Sequence, residues 1–131
     1  MTELTKILHI EDDNEILMIT GMALEIIGGF TIMQVDRGEK ALPIVEDFAP
    51  QLILCDVQMP GKSGPETVAE IRKIPGYEEI PTIYLTARLM NDAPNLLVHP
   101  QDWEVIGKPF DPTTLADQIR NTWDDKMQEA A

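Results

Sequence analysis

The sequence predicts a doubly wound α/β domain: a five-stranded parallel sheet with helices on both faces. Three observations predict it. Short apolar runs alternate with helix-period segments five times along 131 residues. The central run, Leu52 to Cys55, is apolar without alternation, which suits a strand covered on both faces. Turn signals (Gly28-Gly29, Pro60-Gly61, Pro75-Gly76) fall between the segments. The length suits one domain with a core of ordinary size, so residues 1–131 are read as a single unit.

The elements follow in order. Lys6 to Ile10 is the first strand, and it ends at the acidic run Glu11 to Glu15. Ile16 to Ile27 reads as a helix, with Ile16, Ile19, Ala23, Ile26 and Ile27 inward. Asp13 or Asn14 can cap it, and Gly28-Gly29 ends it. Phe30 to Val35 is the second strand. Glu39 to Phe48 is a helix that Pro43 should kink or start late, with Ala41, Leu42, Val45 and Phe48 inward. The third strand ends at Asp56. A helix then opens at Lys62 to Pro65, turns Val68, Ile71 and Ile74 to the core, and stops at Pro75-Gly76. Ile80 to Leu85 is the fourth strand. A fourth helix from Ala93, with Pro94 in its first turn and Pro100 closing it, can be only about two turns long. Trp103 to Ile106 is the fifth strand. Asp111-Pro112 starts a last helix whose inner face is Leu115, Ile119, Thr122 or Trp123, and Met127. The tail, Gln128 to Ala131, should fray.

Composition narrows the function. The net charge of −13 opposes nucleic-acid backbones and anionic lipid, and favours cationic partners or metal ions. The single cysteine, Cys55, cannot form an internal disulfide and reads as a buried, inert thiol, so a reducing, cytoplasmic setting is expected. The N-terminus lacks the pattern of a signal peptide, and no run approaches membrane-spanning length. His9, inside an apolar strand, reads as a packed core residue rather than a ligand.

In an open α/β sheet, ligands bind at the carboxyl ends of the strands. Glu11 and Asp12 follow the first strand, Asp56 the third, Thr86 the fourth and Lys108 the fifth. Each alone has a bland reading, such as a solvated acidic surface or a strand stop. Together they form a coherent device. Three crowded carboxylates repel one another, and a hard divalent cation such as Mg²⁺ relieves that repulsion through oxygen ligands. Lys108 adds a fixed positive charge and Thr86 a hydroxyl. A phosphoryl group on Asp56 would meet all of them, an arrangement that suits phosphoryl transfer to a carboxylate nucleophile.

Four motifs carry a resemblance: Ile-Glu11-Asp12-Asp13, Leu-Cys-Asp56-Val-Gln-Met-Pro-Gly61, Tyr-Leu-Thr86-Ala87 and Gly-Lys108-Pro109-Phe110. Intervals of 44, 30 and 22 residues separate Asp12, Asp56, Thr86 and Lys108. In order and at these spacings they resemble the receiver domain of two-component response regulators, of the stand-alone chemotaxis-regulator type, over about residues 4–125. The resemblance implies a flavodoxin-like strand order 2-1-3-4-5. It implies that Asp56 accepts phosphate from a histidine kinase or histidine phosphotransfer protein, without the chain being an enzyme in its own right. It implies that Glu11, Asp12, Asp56 and the backbone carbonyl of Gln58 hold Mg²⁺, with Asp13 left as a helix cap. Thr86 and Lys108 would bind the phosphoryl group and shift the conformational population toward a downstream protein target. A monomer or weak dimer, with no nucleic acid or membrane partner, is expected.

Some positions depart from that pattern. Val105 stands where a switch aromatic is usual, and Trp103 is expected to face the other way. The segment 88–107 is expected to be differently shaped, and Gln58 and Arg88 to tune phosphate lifetime. Other readings compete. An aspartyl-phosphate phosphohydrolase needs a second acid two residues after the nucleophile, where Gln58 stands. A flavin module needs a Ser/Thr/Gly-rich loop where Glu11 to Glu15 stands. A receiver that acts only as a non-phosphorylated scaffold would not need the complete five-residue set. The charge and the absence of a DNA-binding extension argue against a transcription factor.

Overall fold

A computed structural model of the chain describes residues 2–87 and 97–130. Five parallel strands, β1 (Lys6–Ile10), β2 (Thr31–Val35), β3 (Leu52–Asp56), β4 (Thr82–Thr86) and β5 (Asp102–Gly107), form one sheet in the order β2-β1-β3-β4-β5. Central β3 is buried at every residue, as its unbroken apolar run requires. One face of the sheet packs Ile7, Leu52, Leu54 and Ile83 against Leu24, Leu115, Ile119 and Trp123. The other packs Leu8, Ile10, Ile53 and Cys55 against Val45, Val68 and Ile71. The helices are α1 (Asn14–Gly21), continued by a π-helical segment Met22–Ile27, then α2 (Leu42–Phe48), α3 (Gly64–Ile71) and α4 (Leu115–Ala130). The first part of the short fourth helix expected between Ala93 and Pro100 lies outside the described residues, as does Arg88; its second part, residues 97–100, is a bend and turn and not a helix.

Local chemistry explains most boundaries. Asp13 caps α1, its Oδ1 accepting the N–H of Glu15 (2.9 Å) and of Ile16 (3.2 Å). Pro43 delays rather than kinks: Gly38–Lys40 forms a 3₁₀ turn, and α2 starts with the proline in its first turn. Ser63 and Glu66 form a capping box at the start of α3. Asp111 holds the first turn before α4, its Oδ1 accepting the Thr113 N–H at 2.9 Å.

Four expectations are corrected. Ile19, Ile26 and Ile27 do not face the core; they are 41%, 73% and 58% exposed, while Thr20, Ala23 and Leu24 are buried. Ile26 and Ile27 lie in the π-helical segment, whose wider turn departs from the 3.6-residue period that placed them inward. α3 ends at Ile71, and turns carry the chain to Gly76, with Ile74 packed on the core from outside the helix. The C-terminal tail stays helical to Ala130, with Met127 packed against the core. The reason for Trp103's orientation also changes. Residues two apart in a regular strand share a face. A register shift between β4 and β5 skips Trp103, so Trp103 joins the core on the α4 side while Val105 packs on the other. Trp103 then lies 5.7 Å, centroid to centroid, from Trp123.

Candidate functional site

Strand ends bring the five predicted side chains to one edge. β1 delivers Glu11, fully buried, and Asp12, exposed. β3 delivers Asp56 as its last residue and β4 delivers Thr86, both buried. Lys108 follows β5, and its N–H donates to the Thr86 carbonyl at 2.7 Å, extending the ladder to the site. Gln58 lies exposed in the loop after β3. That loop is shaped by close backbone approach: a Cβ on Gly64 would lie 2.1 Å from the Asp56 carbonyl oxygen, so only glycine lets α3 start there.

The electrostatics are those of crowded acids around one cation. Carboxylate oxygens of Glu11, Asp12 and Asp56 lie within 4.8 Å of one another. The Lys108 ammonium is 2.8 Å from Glu11 Oε1 and 3.3 Å from Asp56 Oδ1. Burial pushes the Glu11 carboxyl up to about 7, against the pull of Lys108 and with the repulsion of Asp56. Burial also raises Asp56, opposed by Lys108. These observations fit a divalent cation: clustered hard oxygen donors remain under-compensated by a single ammonium. Glu11, Asp12 and Asp56 are the side chains that would hold it.

His9 sits below this edge and outside the carboxylate group, as a core residue. Its Nδ1 meets Gln34 Nε2 at 3.0 Å, and burial, then Lys108, lower its pKa to about 3. Cys55 is buried, and burial raises its thiol well above the ordinary value. Two features escaped the sequence reading. Glu39 Oε1 accepts the N–H of Lys62 at 3.1 Å, tying the turn after β2 to the loop after β3. Arg72 at the end of α3 pairs with buried Asp102 at 2.9 Å. Neither has a sequence signal, because both are contacts between segments whose spacing carries no motif.

A parallel sheet in this order, with acids and a lysine gathered at its carboxyl edge, defines a class of doubly wound α/β proteins that work at their strand ends. A family model described as "Response regulator receiver domain" matches residues 7–120. The chain belongs to the response regulator receiver domain family. It is 36% identical over 121 residues to the transcriptional regulatory protein YvrH of Bacillus subtilis, covering 90% of this chain and 48% of that protein. It is 31% identical over 132 residues to the transcriptional regulatory protein CpxR of Escherichia coli, covering 95% of this chain and 54% of the relative. The chain thus spans about half the length of these curated relatives. Among solved structures, it resembles a CheY-like receiver domain protein of Methanospirillum hungatei (TM-score 0.80, 24% identity, 97% of this chain and 99% of that one). A receiver domain of Clostridium thermocellum gives a TM-score of 0.78 at 28% identity, over 95% of this chain and 98% of the other. Receiver domains are signalling phosphoacceptors that take their phosphoryl group from histidine kinases and bind Mg²⁺.

Proposed function

We propose that this chain is a single receiver domain, residues 1–131, that accepts a phosphoryl group on Asp56 and signals by a change of conformation. An Asp56 carboxylate oxygen attacks the phosphorus of a phosphohistidine on a histidine kinase or histidine phosphotransfer protein. The phosphorus–nitrogen bond breaks, the imidazole leaves and takes up a proton, and an acyl phosphate remains on Asp56. Bound Mg²⁺ supplies charge neutralisation at the phosphoryl oxygens. Glu11, Asp12, Asp56 and the backbone carbonyl of Gln58 would hold it. Lys108 and Thr86 meet the phosphoryl group and draw toward it, which biases the fold toward a state that a downstream protein target recognises. The charge of −13 opposes nucleic acid and anionic lipid at this domain, and a reducing, cytoplasmic setting suits the lone buried thiol of Cys55. Self-repulsion at that charge favours a monomer or weak dimer.

The observation that carries this reading is the Lys108 ammonium bridging Glu11 and Asp56 from β5, 97 residues away in sequence from Glu11. A lysine from the segment after β5 thus stands beside two carboxylates delivered by β1 and β3, the charge arrangement that phosphoryl transfer to Asp56 calls for. The test is intact mass after incubation with Mg²⁺ and a small acyl phosphate. The expected result is a gain of one phosphoryl group that needs Mg²⁺ and is absent in Asp56→Asn. Unchanged mass in the wild type with Mg²⁺ and donor present overturns the reading.

A further inference from the structure

We infer that Glu39 is a positioning residue for the metal site: its carboxylate clasps the loop that carries Gln58 and so sets how tightly the site takes a divalent cation. This rests on the function proposed above. Glu39 lies in the 3₁₀ turn Gly38–Lys40, on a different element from every proposed ligand. Its Oε1 accepts the Lys62 N–H at 3.1 Å. The same oxygen stands 2.7 Å from where a Cβ on Gly61 would be, and Gly61 has φ of +78°, so the loop backbone passes directly against the carboxylate. Its own backbone N–H and then that of Lys62 hold the Glu39 carboxyl below its ordinary value. With Asp12, Asn14, Arg37 and Gly61, Glu39 lines a cleft of about 560 Å³ beside the acids.

The clasp is anchored at both ends. The turn bearing Glu39 sits hard on α3: a Cβ on Gly38 would lie 2.0 Å from Thr67 Oγ1, and that hydroxyl donates to the Ser63 carbonyl at 2.8 Å. The loop closes at its base, where the Gly64 N–H donates to the Val57 carbonyl at 2.8 Å. Its far side is drawn toward α3 by the Lys62 ammonium on Glu70 Oε1 (2.5 Å). Among the described residues, the Glu39 bond is the side-chain hydrogen bond to this loop's backbone that comes from outside the β3–loop–α3 unit. Mg²⁺ demands near-ideal octahedral geometry, so a carbonyl ligand on an unheld loop must be ordered at the moment of binding. A loop held in advance avoids that ordering.

The test compares the wild type with Glu39→Gln and Glu39→Ala. Mg²⁺ affinity is read by calorimetry, and amide exchange of residues 57–63 is read in metal-free protein. Glutamine keeps an acceptor oxygen and removes the charge; alanine removes both. The expected result is about fivefold weaker Mg²⁺ binding and faster exchange of the Lys62 amide in Glu39→Ala, the size of one ordinary net hydrogen bond. Glu39→Gln should stay within about twofold of the wild type. Equal affinity in Glu39→Ala and wild type overturns the inference. Equal weakening in both variants also overturns it, because the effect is then charge acting through space. A wild type that binds no Mg²⁺ and gains no phosphoryl mass overturns the proposed function as well. A wild type that does both while Glu39→Ala matches it removes only the role of Glu39.

Discussion

Lys108 neutralises two carboxylates that burial alone would push toward protonation. Replacing it with alanine leaves Glu11 and Asp56 facing each other without a cation, at a cost of about 3 kcal/mol near neutral pH. Denaturant unfolding should show that loss shrinking as pH falls below about 7 and Glu11 takes up a proton, and shrinking again in millimolar Mg²⁺. The pH dependence of the intact site follows from Glu11. Its folded pKa of about 7 lies above the ordinary 4.5, so the folded state holds a proton that the unfolded state has already released. The stability this contributes is present below about pH 4.5 and is lost as pH rises through about 7 in metal-free protein. Mg²⁺ needs the ionised form, so its affinity should rise across the same interval with release of a proton. Glu11→Gln should flatten that profile, and calorimetry in buffers of different ionisation enthalpy would measure the proton. At this scale the gathering of Glu11, Asp12 and Asp56 at one edge was legible, because acids after an apolar strand stand out. The difference between buried Glu11 and exposed Asp12 was not, since neighbours in sequence differ only once the strand's direction is fixed.

Elements were legible where caps and turns carried the signal, as Asp13, Pro43 and Pro65 did, and illegible where hydrophobic period alone carried it. The first helix is apolar nearly all round, so period 3.6 fits several faces, and the π segment chose one that exposes Met18, Met22 and Ile26. The register shift in β5 had no signature, since Trp103 and Glu104 suit either face. What fixes β5 against α3 is the buried pair of Arg72 and Asp102. Arg72 also donates to the Ile80 carbonyl at 3.0 Å and to Thr82 Oγ1 at 3.2 Å. Arg72→Ala strands a buried carboxylate and should cost about 3–5 kcal/mol in denaturant unfolding. Ser63→Ala removes only a cap and should cost about 1 kcal/mol. Comparable losses from the two substitutions would mean that the ion pair is not what holds this corner.

For the whole molecule, fold class was open to reading because strand and helix alternate strictly, whereas the strand order came from the resemblance carried by the four motifs. The short helix read between Pro94 and Pro100 rested on its proline boundaries alone; residues 97–100 are not helical, and residues 88–96 fall outside those described. The charge of −13 acts at this scale too. Raising ionic strength from about 0.01 to about 0.15 M shortens the Debye length from about 30 to about 8 Å. Self-repulsion is then screened, and the thermal midpoint of metal-free protein should rise; a fall would mean that attractive pairs such as Lys40 with Asp36 dominate. The contact between Trp103 and Trp123 has an optical consequence. The chain's two indoles sit together where α4 meets the sheet, on the face opposite Val105, so ultraviolet emission reports on one seam only. If α4 peels from the sheet before the strands separate, that emission will change ahead of the far-ultraviolet ellipticity, and coincident curves will mean that seam and sheet melt as one.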